Sequence, residues 1–169
     1  DFGLFAMAQK AYRKAIELRE DSAEAHYGLA SVYLQMGMIP SAIASYREAI
    51  KLNPNFFPAQ SDLGVAYSQQ HRYEKAIEAY KRAIALAPNS AEPYHNLGTL
   101  YFKQGKFDAA IEAYKKAIAL NPDFVDAYNS LGELYLKQNQ IEEAFFVYKK
   151  ALEKNPNLAS AHYGLGQVY

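Results

Sequence analysis

The chain has 169 residues, with 18 Lys and Arg against 18 Asp and Glu, 15 Tyr, no Trp and no Cys. Zero net charge removes the basic surplus with which nucleic-acid and anionic-membrane binders meet phosphates, so no nucleic acid is expected as a partner. The lack of cysteine excludes disulfide scaffolds, cysteine-ligated zinc and thiol catalysis.

The same residues return every 34 positions. Pro54, Pro88, Pro122 and Pro156 keep that step, as do Tyr33, Tyr67, Tyr101, Tyr135 and Tyr169. A second tyrosine ladder runs through Tyr12, Tyr46, Tyr80, Tyr114 and Tyr148, and Leu29, Leu63, Leu97, Leu131 and Leu165 share the register. A fixed period of this length is the signature of a repeat architecture.

Counting the frame from Ala23 orders the predicted elements along the chain. Residues 1–22 are the second helix of a partial unit, with Gly3 at its start. The first complete unit, 23–56, breaks between its two helices at Gly37 and closes at Pro54. Unit 57–90 breaks at His71, unit 91–124 at Gly105 and unit 125–158 at Asn139. Residues 159–169 are the first helix of a further partial unit. Gly and Asn tolerate the left-handed backbone that ends a helix; His71 is a less comfortable choice. The prolines near frame position 32 stop each second helix.

At about 100° per residue, frame positions 4, 7, 8 and 11 share a face of the first helix. Position 8 is small (Ala30, Gly64, Gly98, Gly132, Gly166), which predicts close approach of a neighbouring backbone. In the second helix, Phe107, Ala110, Tyr114, Ala117 and Ile118 show the matching face, where large rings alternate with alanines.

No apolar run reaches the roughly 18 residues that span a bilayer, so direct membrane insertion is not expected. The start of the chain reads as neither signal nor transit peptide. The compartment stays open, with the cytoplasm as the working assumption. His26, His71, His95 and His162 have no His-x-x-x-His spacing, and Gly164-x-Gly166 lacks the third glycine of a dinucleotide fingerprint. No metal, no cofactor and no catalytic site are expected.

The pattern Tyr94-x-x-Leu97-Gly98-x-x-Tyr101…Ala110-x-x-x-Tyr114-x-x-Ala117…Pro122 resembles the tetratricopeptide repeat (TPR), and the resemblance covers the whole chain. Where that family usually has Trp, this chain has His26, Gln60, Tyr94, Tyr128 and His162. The resemblance implies an all-α fold, a right-handed α-solenoid of antiparallel helix hairpins. Its first helices would line a concave groove that binds segments of other proteins. It implies a scaffold rather than an enzyme.

Opposite the buried face of the first helix lie frame positions 2, 5, 6, 9, 12 and 13. They supply the candidate groove residues Tyr27, Ser31, Asp62, Val65, Glu92, His95, Asn96, Thr99, Lys103, Asp126, Asn129 and Glu133. Gly28, Gly164, Leu34, Phe102 and Leu136 fall on the same arc. Family members that clamp carboxylates use Lys or Arg at positions 2, 5 or 6, and no unit here offers one. A neutral to modestly basic extended peptide suits this groove better, with amides such as Asn96 and Asn129 holding its backbone.

Phe146, with Val147 beside it, is a candidate contact on the outer face. The chain starts and stops inside units, so it reads as part of a longer array, and its uncapped ends are expected to self-associate by stacking or exchanging helices. Two other readings stay open. One is the substrate-recognition or regulatory arm of a larger enzyme, such as a protein glycosyltransferase, although that family favours an asparagine ladder at position 6 and only Asn96 matches. The other is an engineered array without a natural partner.

Overall fold

The computed structural model describes residues 2–169; Asp1, at the head of the leading partial unit, lies outside the described residues. Among those residues there are ten helices and no strands: α1 (Phe2–Leu18), α2 (Ala23–Gln35), α3 (Ile39–Leu52), α4 (Phe57–Gln69), α5 (Tyr73–Leu86), α6 (Ala91–Lys103), α7 (Phe107–Leu120), α8 (Val125–Lys137), α9 (Ile141–Lys154) and α10 (Ala159–Val168). The fold is all-α, made of antiparallel helix hairpins. No helix among the described residues is long and apolar enough to cross a membrane.

The turn inside each hairpin follows from one left-handed residue. Gly37 and Gly105 sit at φ 71° and 72°, and His71 and Asn139 both at 58°. In the first complete unit Gly37 N–H donates to the Leu34 carbonyl at 3.0 Å, and Met38 N–H to the Tyr33 carbonyl at 2.8 Å. This is the Schellman pairing, which satisfies carbonyls that the helix end leaves open. His71 makes the same pair of bonds through His71 and Arg72, to Ser68 and Tyr67. An L-residue held there costs roughly 1–2 kcal/mol relative to ordinary helical backbone.

The other turn uses a different device. The side chains of Asn53, Asn121 and Asn155 each accept from the backbone N–H two residues on, at 3.1–3.2 Å. The proline that follows each asparagine then prevents the helix from continuing.

The chain divides into two compact units, residues 1–88 and 89–169. In the first, α1 packs on α2, α2 on α3, α3 on α4 and α4 on α5. Its core centres on Tyr46, Ala30, Ala42, Ala49, Ala59 and Ala66, all without exposure. In the second, α6 packs on α7, α7 on α8, α8 on α9 and α9 on α10, with α8 also touching α6 and α10. There Ala110, Ala117, Leu134, Ala144 and Ala151 are fully enclosed around Tyr114 and Tyr148.

At frame position 8, Gly64, Gly98 and Gly132 make room for a ring; at Gly98 the expected neighbouring backbone is there too, the Ala110 carbonyl 3.3 Å from an added Cβ, whereas Gly166 has nothing within 4 Å. A Cβ added at Gly64 would lie 2.5 Å from the Tyr80 ring, and one at Gly132 would lie 2.7 Å from the Tyr148 ring. Gly28 and Gly164, placed on the groove face by helical geometry, are buried under Tyr12 and Tyr148. Glycine at position 6 is therefore a packing residue: the tyrosine of the preceding second helix needs the room.

Candidate peptide-binding site

In the first unit, Tyr27 and Ser31 lie on α2 and Asp62 and Val65 on α4. The Tyr27 hydroxyl donates to Asp62 Oδ2 at 2.9 Å. Its ring packs against Phe56 and Tyr46, with centroids 5.1 and 5.8 Å away. Ser31 Oγ donates to the Tyr27 carbonyl at 3.0 Å and lies 3.3 Å from the Tyr46 hydroxyl. Burial pushes the Tyr46 phenol far above its ordinary value, so it stays protonated. Val65 is half-buried. Tyr27 thus bridges two first helices.

The second unit repeats this arrangement with different chemistry. His95 on α6 meets Ser130 on α8, Nε2 to Oγ, at 3.0 Å. The imidazole packs against Phe124 at 5.0 Å and Tyr114 at 5.5 Å. Thr99 Oγ1 donates to the His95 carbonyl at 3.1 Å and accepts from the Tyr114 hydroxyl at 3.3 Å. Tyr27 and His95, Ser31 and Thr99, Phe56 and Phe124, Asp62 and Ser130 are each 68 residues apart. Ser90 and Leu158 stand where Phe56 and Phe124 would fall in the other two complete units. Reading the array at twice its basic period is the sequence signal for these aromatic clusters, and a 34-residue frame averages it away.

Beside His95 a cavity of about 620 Å³ opens among α6, α7 and α8. It gathers four candidate residues, Glu92, His95, Asn96 and Asp126, with Phe124 and Asn121 completing the wall. Asn129 is half-buried, while Lys103 and Glu133 are exposed and stand outside this lining. Leu34, Phe102 and Leu136, read as groove-facing, pack against the cores instead. Glu133 acts at a distance: burial, aided by its charge, pushes the Tyr148 phenol up to about 12.

Burial holds the His95 imidazolium below the ordinary 6.5, against the opposing pull of Asp126, Asn96 and Glu92. The site therefore presents a neutral imidazole at pH 7 beside two carboxylates. Because the unfolded chain binds this proton more readily, His95 contributes stability above about pH 6.5. That stability is lost as the pH falls from 6.5 through the lowered folded value. The expected result is a urea midpoint that declines as the pH falls below about 6.5. His95→Gln, which keeps a partner for Ser130, flattens that slope; an unchanged slope in the variant would assign the proton to another group.

The two outer-face candidates part ways. Phe146 is 61 % exposed, with Lys150 Nζ 5.7 Å from its ring centroid. Val147 is only 8 % exposed and belongs to the core of the second unit, so it offers nothing to an outer-face partner. It sits at frame position 23, which also buries Ala79 and Ala113, because that position turns back towards the hairpin partner.

Family models for the TPR repeat match residues 5–37, 66–105, 98–139 and 133–169, and tetratricopeptide-repeat models match 23–56 and 45–78. No curated protein matches the sequence. Among solved structures, a crystal structure of MamA is 36% identical, with a TM-score of 0.85, over 93% of this chain and 92% of that one. PilF of Pseudomonas aeruginosa is 24% identical at a TM-score of 0.88, over 98% of this chain and 76% of its own. YrrB, described as a TPR protein with an unusual peptide-binding site, is 23% identical at a TM-score of 0.79, over 96% of this chain and 84% of that one. Likeness at these two lower identities speaks to the fold alone. With repeat models matching from residue 5 to residue 169, the chain belongs to the tetratricopeptide repeat family.

Proposed function

We propose that this chain is a protein-interaction scaffold that holds an extended, neutral to modestly basic peptide segment at the Glu92–His95–Asn96–Asp126 cavity of its second unit. The cavity carries the reading. It is concave, of the size ligand sites usually have, and walled by Phe124 with a few converging polar groups. The Asn96 amide can donate to and accept from a peptide backbone. Glu92 and Asp126 are both exposed, so they attract a lysine or arginine on the peptide through solvent-screened contacts of modest strength. No Lys or Arg lines the cavity, which argues against a clamp for terminal carboxylates.

The test is fluorescence anisotropy with labelled nine-residue peptides, either lysine-containing or neutral. The lysine-containing peptide is expected to bind more tightly than the neutral one. Glu92→Lys with Asp126→Lys should weaken the lysine-containing peptide by about tenfold, which corresponds to about 1.4 kcal/mol. Asn96→Arg with Asn129→Arg should abolish binding of both while circular dichroism stays unchanged. Equal binding by both variants and the parent protein would reject the site.

A further inference from the structure

In the second complete unit a cavity opens beside frame position 4, the position that Tyr128 holds in the fourth complete unit. Tyr128 is 9 % exposed there and packed into the core. The equivalent residue in the first unit is Gln60, shorter and without a ring. Around it, α3, α4 and α5 enclose about 410 Å³. The floor is Gln60, Leu63 and Ala79, at 5 %, 7 % and 4 % exposure.

The rim is basic. Arg47, Lys51, Lys75 and Arg82 face the single carboxylate of Glu78, in a chain whose net charge is zero. Arg82 holds Glu78 at 2.6 Å, and Lys51 holds Glu48 at 3.1 Å. Arg47 and Lys75 have no ion pair among the described residues, so their charge is available to a ligand. The place is distinct from the peptide-binding candidates on the same helix. Gln60 and Leu63 each lie two residues before Asp62 and Val65, about 200° away around α4.

We propose that this cavity docks an acidic peptide segment of a partner protein. An Asp or Glu carboxylate sits between Arg47 and Lys75, and a neighbouring apolar or aromatic side chain covers Leu63 and Ala79. The Gln60 amide, which both donates and accepts, hydrogen-bonds the peptide backbone. Charge complementarity selects the acid, and the apolar floor selects a peptide over a bare anion. This surface prefers the opposite charge to the Glu92–Asp126 cavity, so the two sites take different segments.

The experiment uses the full chain and a fluorescein-labelled Asp-Glu-Phe-Asp-Glu peptide, followed by anisotropy. Saturable binding is expected, at least tenfold weaker when the acids are replaced by Asn and Gln or the Phe by Ala. Gln60→Tyr, which installs the residue found at Tyr128, and Arg47→Glu with Lys75→Glu should each weaken binding at least tenfold. Asn96→Arg with Asn129→Arg should leave it unchanged, which separates this site from the Glu92–Asp126 cavity. The rim variant changes two exposed side chains, so it decides the matter even if Gln60→Tyr fails to fold. The proposal is overturned by no saturable binding, by equal binding of the neutral peptide, or by a rim variant that binds like the parent. Competition by inorganic phosphate as effective as by unlabelled peptide would also overturn it, by showing a general anion site.

Discussion

Tyr46→Ala is expected to destabilise the first unit by about 3–5 kcal/mol, the range for removing a buried aromatic ring. Tyr46 is fully enclosed, and its ring contacts Tyr27 while its hydroxyl lies 3.3 Å from Ser31 Oγ. Five of the other ten buried residues in its cluster are fully enclosed alanines, Ala30, Ala42, Ala49, Ala59 and Ala66, which have no side chain that can swing into the gap. The loss therefore keeps most of its cavity cost. Tyr46→Phe separates the ring from the hydroxyl and should cost only about 1 kcal/mol, the usual net worth of one hydrogen bond. Urea denaturation measures both. Hydrogen exchange should show the loss in α2, α3 and α4 first, because repeat stacks derive stability from neighbours. A Tyr46→Ala protein within 1 kcal/mol of the parent would mean that the helices close over the gap.

The second large effect comes from one added side chain. Gly132→Leu should destabilise the second unit by about 3 kcal/mol, the upper end for overpacking. Tyr148 lies between two glycines: a Cβ at Gly132 would stand 2.7 Å from its ring, and one at Gly164 would overlap the same ring. At 3 % exposure the ring has no direction in which to retreat. Gly166 occupies the same frame position in the next unit, yet has no heavy atom within 4 Å of an added Cβ. Gly166→Ala should accordingly stabilise by about 0.5 kcal/mol, through the entropy that glycine loses in a helix. Thermal unfolding of both variants checks the pair. Shifts of the same sign would show that frame position, not the ring, governs the outcome.

That contrast marks the boundary between sequence and tertiary information. Gly132 and Gly166 are the same letter at the same place in the repeat. The 34-residue ladders placed them on one helix face correctly, but neither the period nor the composition says whether a ring lies above each. The same limit applies to Tyr27 and His95. Helical geometry placed both among the groove candidates but could not reveal hydrogen bonds to Asp62 and Ser130, 35 residues further along. A helical wheel describes one helix, whereas these contacts depend on the distance between two.

Local chemistry determined the elements. The left-handed positions at Gly37, His71, Gly105 and Asn139, and the asparagine–proline stops, depend on residues a few places apart, so one-dimensional sequence carries them fully. The alternation of tyrosine and alanine determined the buried faces for the same reason. Only the tertiary structure decided that Val147 turns inward while Phe146 stays out, that four scattered polar residues meet around one cavity, and that Gln60 leaves another open. Each of these depends on how far apart packed helices stand, and that spacing is set by side chains from three elements at once.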